Sequence, residues 1–345
     1  MVRDSELGIV GLGRMGGNLA AQAIDRGIAV VGVDPEPKPD LEAQGATVYG
    51  AGAYQSLRDD LDPPRVVYIS LPAGPLIDSE LESMASVFEA GDVLIDGGNS
   101  FWRDSIDRER RLWEDDIYFL DCGSSGGPFR AREGACFMVG GRKDGYAIAE
   151  PLLDALSVEG GLVHTGPPGS GHFTKLVHNG IEFGMLQSIA EGVELLAAGQ
   201  FDLDLQAVFE NWSNGSVIES WLVELMATGL AQTDQFADDT PPLEEIPNYI
   251  EDTGEVNWLI EEAFKGEVPA PVITQSVIEL FKSRGHQQYT YRAIALMRHG
   301  FGGHPFGQDE STASERQHGR VSGSSRRELY ETDHKEPLSG DDSAE

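Results

Sequence analysis

Short apolar runs alternate with amphipathic segments along the first half of the chain. Runs typical of buried strands occur at residues 7–10, 29–33, 66–71, 93–96 and 118–121. Apolar residues at helical spacing follow three of them, at residues 19–24, 77–88 and 104–113. Strands and helices that alternate in this way predict a doubly wound sheet of parallel strands.

The second half of the chain shows a different pattern, in which helical spacing dominates. Two further apolar runs, at residues 135–139 and 161–164, are expected to complete the sheet. After them, apolar residues recur with helical periodicity over residues 181–198, 205–211, 218–230, 258–265 and 273–281. We therefore predict an α/β domain over residues 1–166 and an all-α helical domain over residues 167–306.

Residues 307–345 have a third character. They are rich in Ser, Asp, Glu and Arg and contain almost no apolar residues. A segment of that composition cannot bury enough apolar surface to offset the entropy lost on folding. The sequence therefore predicts a disordered, acidic and polar tail after Phe306.

The first predicted strand runs directly into the pattern G-x-G-x-x-G, formed by Gly11, Gly13 and Gly16. The first glycine permits a tight turn, the second lets a pyrophosphate approach the backbone, and the third lets strand and helix pack. Free N–H groups and the helix dipole then hold the phosphates. This context predicts a dinucleotide-binding Rossmann domain, with coenzyme contacts expected from Gly11, Leu12, Gly13, Arg14, Met15 and Gly16.

A carboxylate, Asp34, ends the second predicted strand. At that position a carboxylate can accept hydrogen bonds from both ribose hydroxyls of NAD, and it repels a 2′-phosphate. Residues 35–37 contain no arginine that could bind such a phosphate. We therefore expect NAD as the coenzyme, with NADP left open. The loop at Leu71, Pro72 and Ala73 is expected to border its nicotinamide.

Two loops rich in glycine and serine, residues 97–100 and 123–127, follow predicted strands directly. Glycine and serine are also common in simple turns. Ligands of doubly wound sheets, however, bind outside the carboxyl ends of the strands, and the coenzyme loop lies at the same edge. The position of both loops therefore favours binding of a small-molecule substrate.

Four polar side chains share one face of a helix predicted over residues 171–184. They recur at i, i+3, i+4 and i+7: Lys175, His178, Asn179 and Glu182. The opposite face is expected to pack on a core through Leu176, Val177, Ile181 and Leu186. A solvated polar face is the ordinary interpretation of such a stripe. The many glycines in this helix and the scarcity of lysine in the chain favour a catalytic face instead.

The composition limits the partners and the compartment. Fifty-eight acidic and 25 basic residues give a net charge of −33, which argues against nucleic acid and anionic membranes as partners. The acidic excess also suggests adaptation to high salt, which would screen the self-repulsion. The two cysteines have no paired metal-ligand spacing, and no signal peptide or membrane-spanning run is evident. We expect a cytoplasmic protein without a bound metal.

Four segments resemble those of the decarboxylating 6-phosphogluconate dehydrogenases: residues 11–19, 96–100, 175–182 and 298–304. The loop at 123–127 and the single helical domain resemble the shorter branch of this family. The resemblance runs from about residue 7 to residue 306. It implies oxidative decarboxylation of 6-phospho-D-gluconate to D-ribulose 5-phosphate and CO2, with reduction of NAD or NADP, in the pentose phosphate pathway and gluconate utilization.

The resemblance also implies roles for individual residues. Lys175 would be the base for the substrate 3-hydroxyl, and Glu182 the acid that protonates C1 of the enediol. The sugar acid would be held by Asn99, Ser125, Gly126, Gly127, His178, Asn179, Arg298 and His304, and Asn99 would also contact the coenzyme. In the family, the residues that correspond to Arg298 and His304 come from the partner subunit. The active site would then require a homodimer or a higher homo-oligomer.

Three departures from the long-form pattern keep other substrates open. Phe183 replaces a tyrosine that touches the phosphate, Asn257 replaces a lysine, and Arg284 lies a helical turn from an expected arginine. Fewer phosphate contacts leave a gluconate dehydrogenase as one alternative. Another is a β-hydroxyacid dehydrogenase of the 3-hydroxyisobutyrate or tartronate semialdehyde reductase type, which does not need Glu182 or the 298–304 motif. A third, a non-catalytic NAD-binding regulator, predicts loss of Lys175 or Glu182.

Overall fold

The computed structural model describes residues 5–198, 201–231, 241–284 and 289–311. Within these ranges the chain forms one sheet from eight strands: β1 (Glu6–Val10), β2 (Ala29–Val33), β3 (Thr47–Tyr49), β4 (Val66–Ile69), β5 (Val93–Asp96), β6 (Tyr118–Ser125), β7 (Ala135–Gly141) and β8 (Ser157–Gly166). The order across the sheet is β3-β2-β1-β4-β5-β6-β7-β8. The order reverses beside β1, and such a switch point is where doubly wound sheets bind their ligands.

The sheet is mixed, whereas the sequence predicted parallel strands throughout. β7 pairs with β6 in the antiparallel direction, and the other neighbouring strands are parallel. Only residues 126–134 separate β6 from β7. A parallel crossover needs about a dozen residues or more, so this connection is too short for one.

The helices of the α/β region cover both faces of the sheet: α1 (Arg14–Asp25), α2 (Pro39–Ala43), α3 (Tyr54–Asp59), α4 (Pro75–Ala85), α5 (Trp102–Trp113), α6 (Gly127–Glu133) and α7 (Lys143–Leu156). Successive strand residues point to opposite faces, so Ile9 enters one apolar core and Val10 the other. Both cores are mainly aliphatic, as expected of a sheet buried on two sides. The sequence pattern did not indicate β3, α2, α3, α6 or α7.

The second region is helical, as predicted: α8 (Ser170–Ala197), α9 (Leu205–Trp212), α10 (Trp221–Leu230), α11 (Glu255–Lys265), α12 (Pro271–Ser283) and α13 (Tyr289–Gly302), with a short 3-10 turn at Leu243–Glu245. These helices enclose a separate apolar core that includes Leu186, Val223 and Leu296. The predicted segments 171–184 and 181–198 are one continuous helix, α8, of 28 residues. It reaches from β6 and β7 into the helical core.

β8 ends at Gly166 and α8 begins at Ser170. The change from strands to helices therefore falls where the hydrophobic periodicity of the sequence changes. The domain limits 1–166 and 167–306 stay predictions. The predicted tail begins at residue 307, and residues 312–345 lie outside the described residues. In the part of the chain that the structure covers, no helix is both long and apolar enough to span a membrane.

Candidate functional site

A cleft of about 670 Å3 opens where the carboxyl ends of β1, β4, β5 and β6 face α8 and α13. Most residues predicted to bind coenzyme or substrate line it: Gly13, Arg14, Met15, Leu71, Pro72, Ala73, Asn99, Ser125, Gly126, Gly127, Lys175, His178, Asn179, Glu182, Arg298 and His304. Four predicted coenzyme residues do not: Gly11, Leu12, Gly16 and Asp34. The cleft therefore joins the dinucleotide loop to the polar face of α8.

The glycine loop has the shape that a bound pyrophosphate requires. Gly11 has φ +88°, and a Cβ there would lie 2.4 Å from the carbonyl oxygen of Ser70. A Cβ on Gly16 would lie 1.9 Å from the carbonyl oxygen of Gly11, so helix α1 packs directly on the loop. A Cβ on Gly13 would meet nothing within 4 Å. The space beside Gly13 and the free N–H groups of the first turn of α1 thus fit the diphosphate of a dinucleotide.

Asp34 is buried at the end of β2 beneath this loop. Its Oδ2 accepts a hydrogen bond from the N–H of Leu12 at 2.6 Å, and its Oδ1 accepts one from the N–H of Glu36 at 2.9 Å. Lys38 Nζ lies 3.1 Å from Oδ1. Burial acts to raise the pKa of Asp34, but the two backbone donors and Lys38 outweigh it and hold the pKa below its usual value. Asp34 is therefore an ionised acceptor at the end of β2, where the sequence predicted contact with the ribose of the coenzyme.

Leu12 contributes to this site through its backbone. Its side chain is buried against β2, where a Cβ on Gly32 would lie 2.6 Å from Leu12 Cδ1. Its N–H is already donated to Asp34. Leu12 shapes the coenzyme loop from below and does not face the cleft.

Three residues predicted to bind substrate, Ser125, Gly126 and Gly127, lie where β6 ends and α6 begins. The sequence predicted a loop over residues 123–127, but β6 continues to Ser125 because it pairs with β7. Ser125 Oγ shares a hydrogen bond of 3.0 Å with His178 Nε2. A Cβ on Gly127 would lie 1.9 Å from the carbonyl oxygen of Phe301, so the start of α6 is in direct contact with α13.

The start of α8 is anchored on the sheet by Asp121 of β6. The Asp121 carboxylate accepts hydrogen bonds from the N–H groups of Gly169 at 2.7 Å and His172 at 2.8 Å. These donors belong to the helix N-terminus, whose N–H groups lack partners within the helix. A Cβ on Gly171 would lie 2.2 Å from the carbonyl oxygen of Asp121. This close approach sets the position of Lys175, one turn further along α8.

Lys175, His178, Asn179 and Glu182 lie together on the cleft side of α8, as their spacing predicted. His178 Nδ1 lies 3.4 Å from Lys175 Nζ, 3.3 Å from Asn179 Oδ1 and 4.0 Å from Glu182 Oε2. Asn179 is buried, while the other three are partly buried. A base, a neutral donor–acceptor and an acid can therefore reach the same small molecule.

Burial changes the acidity of this set in opposite directions. It lowers the pKa of Lys175, although Glu182 and Glu255 act against the change. Burial also raises the pKa of Glu182, against the influence of Lys175 and Arg298. Burial and the neighbouring Lys175 lower the pKa of His178 to about 4. At neutral pH His178 is therefore uncharged. The pKa of Lys175 is shifted down and that of Glu182 up, so both shifts favour the exchange of protons near neutral pH.

Arg298 and His304 reach the cleft from α13 and the residues after it. The resemblance implied that these two residues come from a partner subunit, but this chain places its own copies there. Arg298 is 4% exposed, and its Nε has no hydrogen-bond partner among the described residues. Burial and the cations Arg298 and Arg14 hold the pKa of His304 well below its usual value.

Two of the departures from the long-form pattern have a structural consequence. The guanidinium of Arg298 lies 5.4 Å from the centre of the Phe183 ring, a cation–π distance. Phe183 therefore supports Arg298 through the face of its ring and, unlike a tyrosine, offers no hydroxyl group. Arg284 pairs with Asp252 at 3.5 Å and does not line the cleft.

Sequence reasoning missed several residues that line the cleft: Ile181, Met185, Trp221, Thr253, Glu255 and Trp258. Ile181 was expected to pack on a core, but it is 53% exposed. Glu255 is buried and accepts a hydrogen bond from Thr253. No spacing rule connects Glu255 with Lys175, because they meet only when α11 packs on α8.

Two family models match the chain. The NAD binding domain of 6-phosphogluconate dehydrogenase matches residues 6–166, and the C-terminal domain of 6-phosphogluconate dehydrogenase matches residues 171–315. Together they cover the sheet and the helical region that enclose the cleft.

Relatives with known names agree with these models. An NAD(+)-dependent, decarboxylating 6-phosphogluconate dehydrogenase of Haloferax volcanii is 37% identical over 87% of this chain and 97% of its own length. The solved Plasmodium falciparum 6-phosphogluconate dehydrogenase superposes with a TM-score of 0.70 at 29% identity, covering 81% of this chain and 62% of that one. A Mycobacterium tuberculosis 3-hydroxyisobutyrate dehydrogenase, with a TM-score of 0.65 at 21% identity over 84% and 98% of the two chains, shares the fold.

Proposed function

Because the chain belongs to the 6-phosphogluconate dehydrogenase family, we propose that it converts 6-phospho-D-gluconate to D-ribulose 5-phosphate and CO2, with NAD as the coenzyme. One observation carries the proposal. Lys175, Glu182 and the buried Arg298 line the same cleft as the dinucleotide loop. A base, an acid and a site for an anionic substrate therefore meet beside the coenzyme.

Lys175 is the base of the oxidation step. In its neutral form it takes the proton of the substrate 3-hydroxyl, and burial favours that form by lowering the pKa of the amine. Bound NAD supplies the hydride acceptor. The resulting Lys175 ammonium then stabilises the oxyanion that develops on C3 as the C1 carboxylate leaves as CO2.

Glu182 is the acid that completes the reaction. Loss of CO2 leaves a five-carbon enediol. The carbon that carried the carboxylate, which is C1 of the product, then requires a proton to give the ketose. Burial raises the pKa of Glu182, so the carboxyl holds a proton at a higher pH than an exposed glutamate does. Glu182 lies two turns from Lys175 on the same face of α8, close enough to serve the other end of one small substrate.

The remaining cleft residues hold the sugar acid. Arg298 and His304 receive its charged phosphate or carboxylate end, since a buried guanidinium with an open N–H requires an acceptor. Ser125, His178, Asn99 and Asn179 receive the hydroxyl groups, and Gly126 and Gly127 give the backbone space beside them. His178 binds as a neutral imidazole because its pKa is about 4.

The coenzyme preference follows from Asp34. Its ionised carboxylate favours ribose hydroxyls over a 2′-phosphate, and the Haloferax volcanii relative is named as NAD(+)-dependent. Lys38, 3.1 Å from Asp34, reduces this discrimination. We therefore expect NAD to be preferred and NADP to be used with lower efficiency.

The chain is proposed to act in the cytoplasm as a homodimer, in the pentose phosphate pathway. Exposed apolar side chains on α11 and α12 support self-association: Phe264, Val272, Ile278 and Phe281. Single exposed apolar residues are common on protein surfaces. A group of them on neighbouring helices is typical of a protein–protein interface.

Initial rates separate this proposal from its alternatives. The purified protein is assayed in molar KCl with 6-phosphogluconate, gluconate and 3-hydroxyisobutyrate, each with NAD and with NADP. We expect turnover of 6-phosphogluconate with the higher kcat/KM for NAD. Preference for unphosphorylated gluconate or for 3-hydroxyisobutyrate would overturn the substrate assignment, and preference for NADP would overturn the role given to Asp34.

A further inference from the structure

We propose that Arg108, a residue outside the cleft, is a positioning residue that fixes the coenzyme side of the site against its substrate side. The coenzyme-side loop is residues 70–74, after β4, and the substrate-side loop is residues 97–100, after β5. The inference rests on the proposed function, because the two loops are taken to hold the nicotinamide and the sugar acid.

The guanidinium of Arg108 is fully buried and uses all five of its N–H groups. Nε and Nη2 donate to the two carboxylate oxygens of Asp78, each at 3.1 Å. Nη1 donates to Asp96 Oδ2 at 3.1 Å and to Ser100 Oγ at 3.2 Å. Nη2 also donates to the carbonyl oxygen of Gly74 at 3.3 Å.

These partners belong to both loops. Gly74 closes the coenzyme-side loop, and Asp78 lies in the first turn of α4, directly after it. Asp96 and Ser100 enclose the substrate-side loop on either side of Asn99, and Asp96 also accepts a hydrogen bond from the N–H of Gly98 at 3.0 Å. One side chain from α5 therefore links the two loops beyond the ends of the paired strands β4 and β5.

The loops are also in direct contact, so a small movement of one displaces the other. A Cβ on Gly98 would lie 2.8 Å from the carbonyl oxygen of Leu71. Pro72, Ala73 and Asn99, which line the cleft, lie within these two loops. Arg108 itself does not line the cleft, so its influence on the reaction passes through the loops.

Lysine cannot replace this function. An ammonium group is a point charge with three donors on one nitrogen, whereas the planar guanidinium holds two carboxylates, a hydroxyl and a carbonyl at fixed angles. Arg108→Lys keeps the charge that balances Asp96 and Asp78 but loses the bridge. Misplacement by about 1 Å can cost on the order of 10²-fold in rate.

Arg111 provides a matched control. It donates to the same Asp78 carboxylate at 2.7 Å from the same helix, but its side chain is 50% exposed. Within the described residues it pairs with Asp78 and Glu82, which both lie on α4. Arg111→Lys therefore alters the same ion pair and leaves the bridge between the loops intact.

The test compares wild type, Arg108→Lys and Arg111→Lys by thermal unfolding, by NADH binding from fluorescence, and by turnover of 6-phosphogluconate with and without deuterium at C3. For Arg108→Lys we expect about a 10²-fold lower kcat/KM, a larger deuterium isotope effect and weaker NADH binding in folded protein. Arg111→Lys should match wild type. A decrease in rate that follows the loss of folded protein, with an unchanged isotope effect, would show a purely structural role and overturn the inference.

Two outcomes of this test require a further measurement: an Arg108→Lys variant that does not fold, and a wild type that does not oxidise 6-phosphogluconate. If Arg108→Lys does not fold, Asp78→Asn is measured instead, because it weakens the attachment of the coenzyme-side loop and leaves Arg108 paired with Asp96; an unchanged isotope effect there overturns the inference. If wild type does not oxidise 6-phosphogluconate, the proposed function fails. NADH binding then decides, since weaker binding in Arg108→Lys than in Arg111→Lys supports the loop bridge and equal binding refutes it.

Discussion

At the scale of single residues, Lys175 and Glu182 are proposed to serve different steps of the reaction. Both face the cleft from α8, but burial lowers the pKa of the amine and raises that of the carboxyl. These opposite shifts suit a base in the first step and an acid in the last. The difference between the two residues can be measured.

Substitution of each residue should separate oxidation from product release. Lys175→Met removes the base, so NADH and pentose should both be lost by about 10²- to 10⁴-fold. Glu182→Gln leaves the base in place, so NADH formation should fall less than formation of ribulose 5-phosphate. The two products are quantified separately in single-turnover experiments. Equal losses in the two variants would contradict the division of roles.

Glu255 should set the pH at which this pair works. Its carboxylate raises the pKa of both Lys175 and Glu182. In Glu255→Gln that negative charge is gone, so both groups should lose their protons at lower pH. Both limbs of the pH profile of kcat/KM should therefore move in the acidic direction. Glu261→Gln, on the same helix but outside the cleft lining, serves as the control; a profile that does not move would exclude an electrostatic role for Glu255.

At the scale of elements, the placement of α8 depends on close packing at its first turn. Gly171→Ala would bring a Cβ within 2.2–2.6 Å of backbone atoms of Asp121, Met138 and Gly140. We expect a loss of about 1–3 kcal/mol in the free energy of unfolding. Activity should fall further than stability explains, because Lys175 moves with the helix.

The same helix contains the control for that substitution. A Cβ on Gly192 would meet nothing within 4 Å, so Gly192→Ala should stabilise the helix by about 0.5–1 kcal/mol. Urea unfolding and initial rates are measured for both variants. Similar effects of the two substitutions on rate would show that helix flexibility, and not the contact with the sheet, controls Lys175.

The sequence predicted most of these elements but not all of their relations. The glycine motif, Asp34 and the polar stripe of α8 each follow from local spacing, and the structure brings them to one edge of the sheet. The direction of β7 is set by the length of its connection and by pairing with β6. Glu255 and Arg108 meet their partners through contacts between different elements, and periodicity within one element carries no signal of such contacts.

At the scale of the whole molecule, the net charge of −33 should make stability depend on salt. Like charges on a compact surface repel one another, and the Debye length decreases from about 10 Å at 0.1 M salt to about 3 Å at 1 M. The midpoint of thermal unfolding should therefore rise between 0.1 and 2 M KCl. Sucrose at matched osmolality controls for general solute effects. A midpoint that does not change with KCl would show that the acidic composition has no such role.

The central claim is that one cleft carries out both oxidation and decarboxylation of 6-phosphogluconate. It is tested most directly with substrate labelled with carbon-14 at C1, by counting released CO2 against NADH formed in the same reaction. We expect one labelled CO2 for each NADH, and almost none of either in Lys175→Met. NADH formed without labelled CO2 would contradict it, because the chain would then be a simple hydroxyacid dehydrogenase.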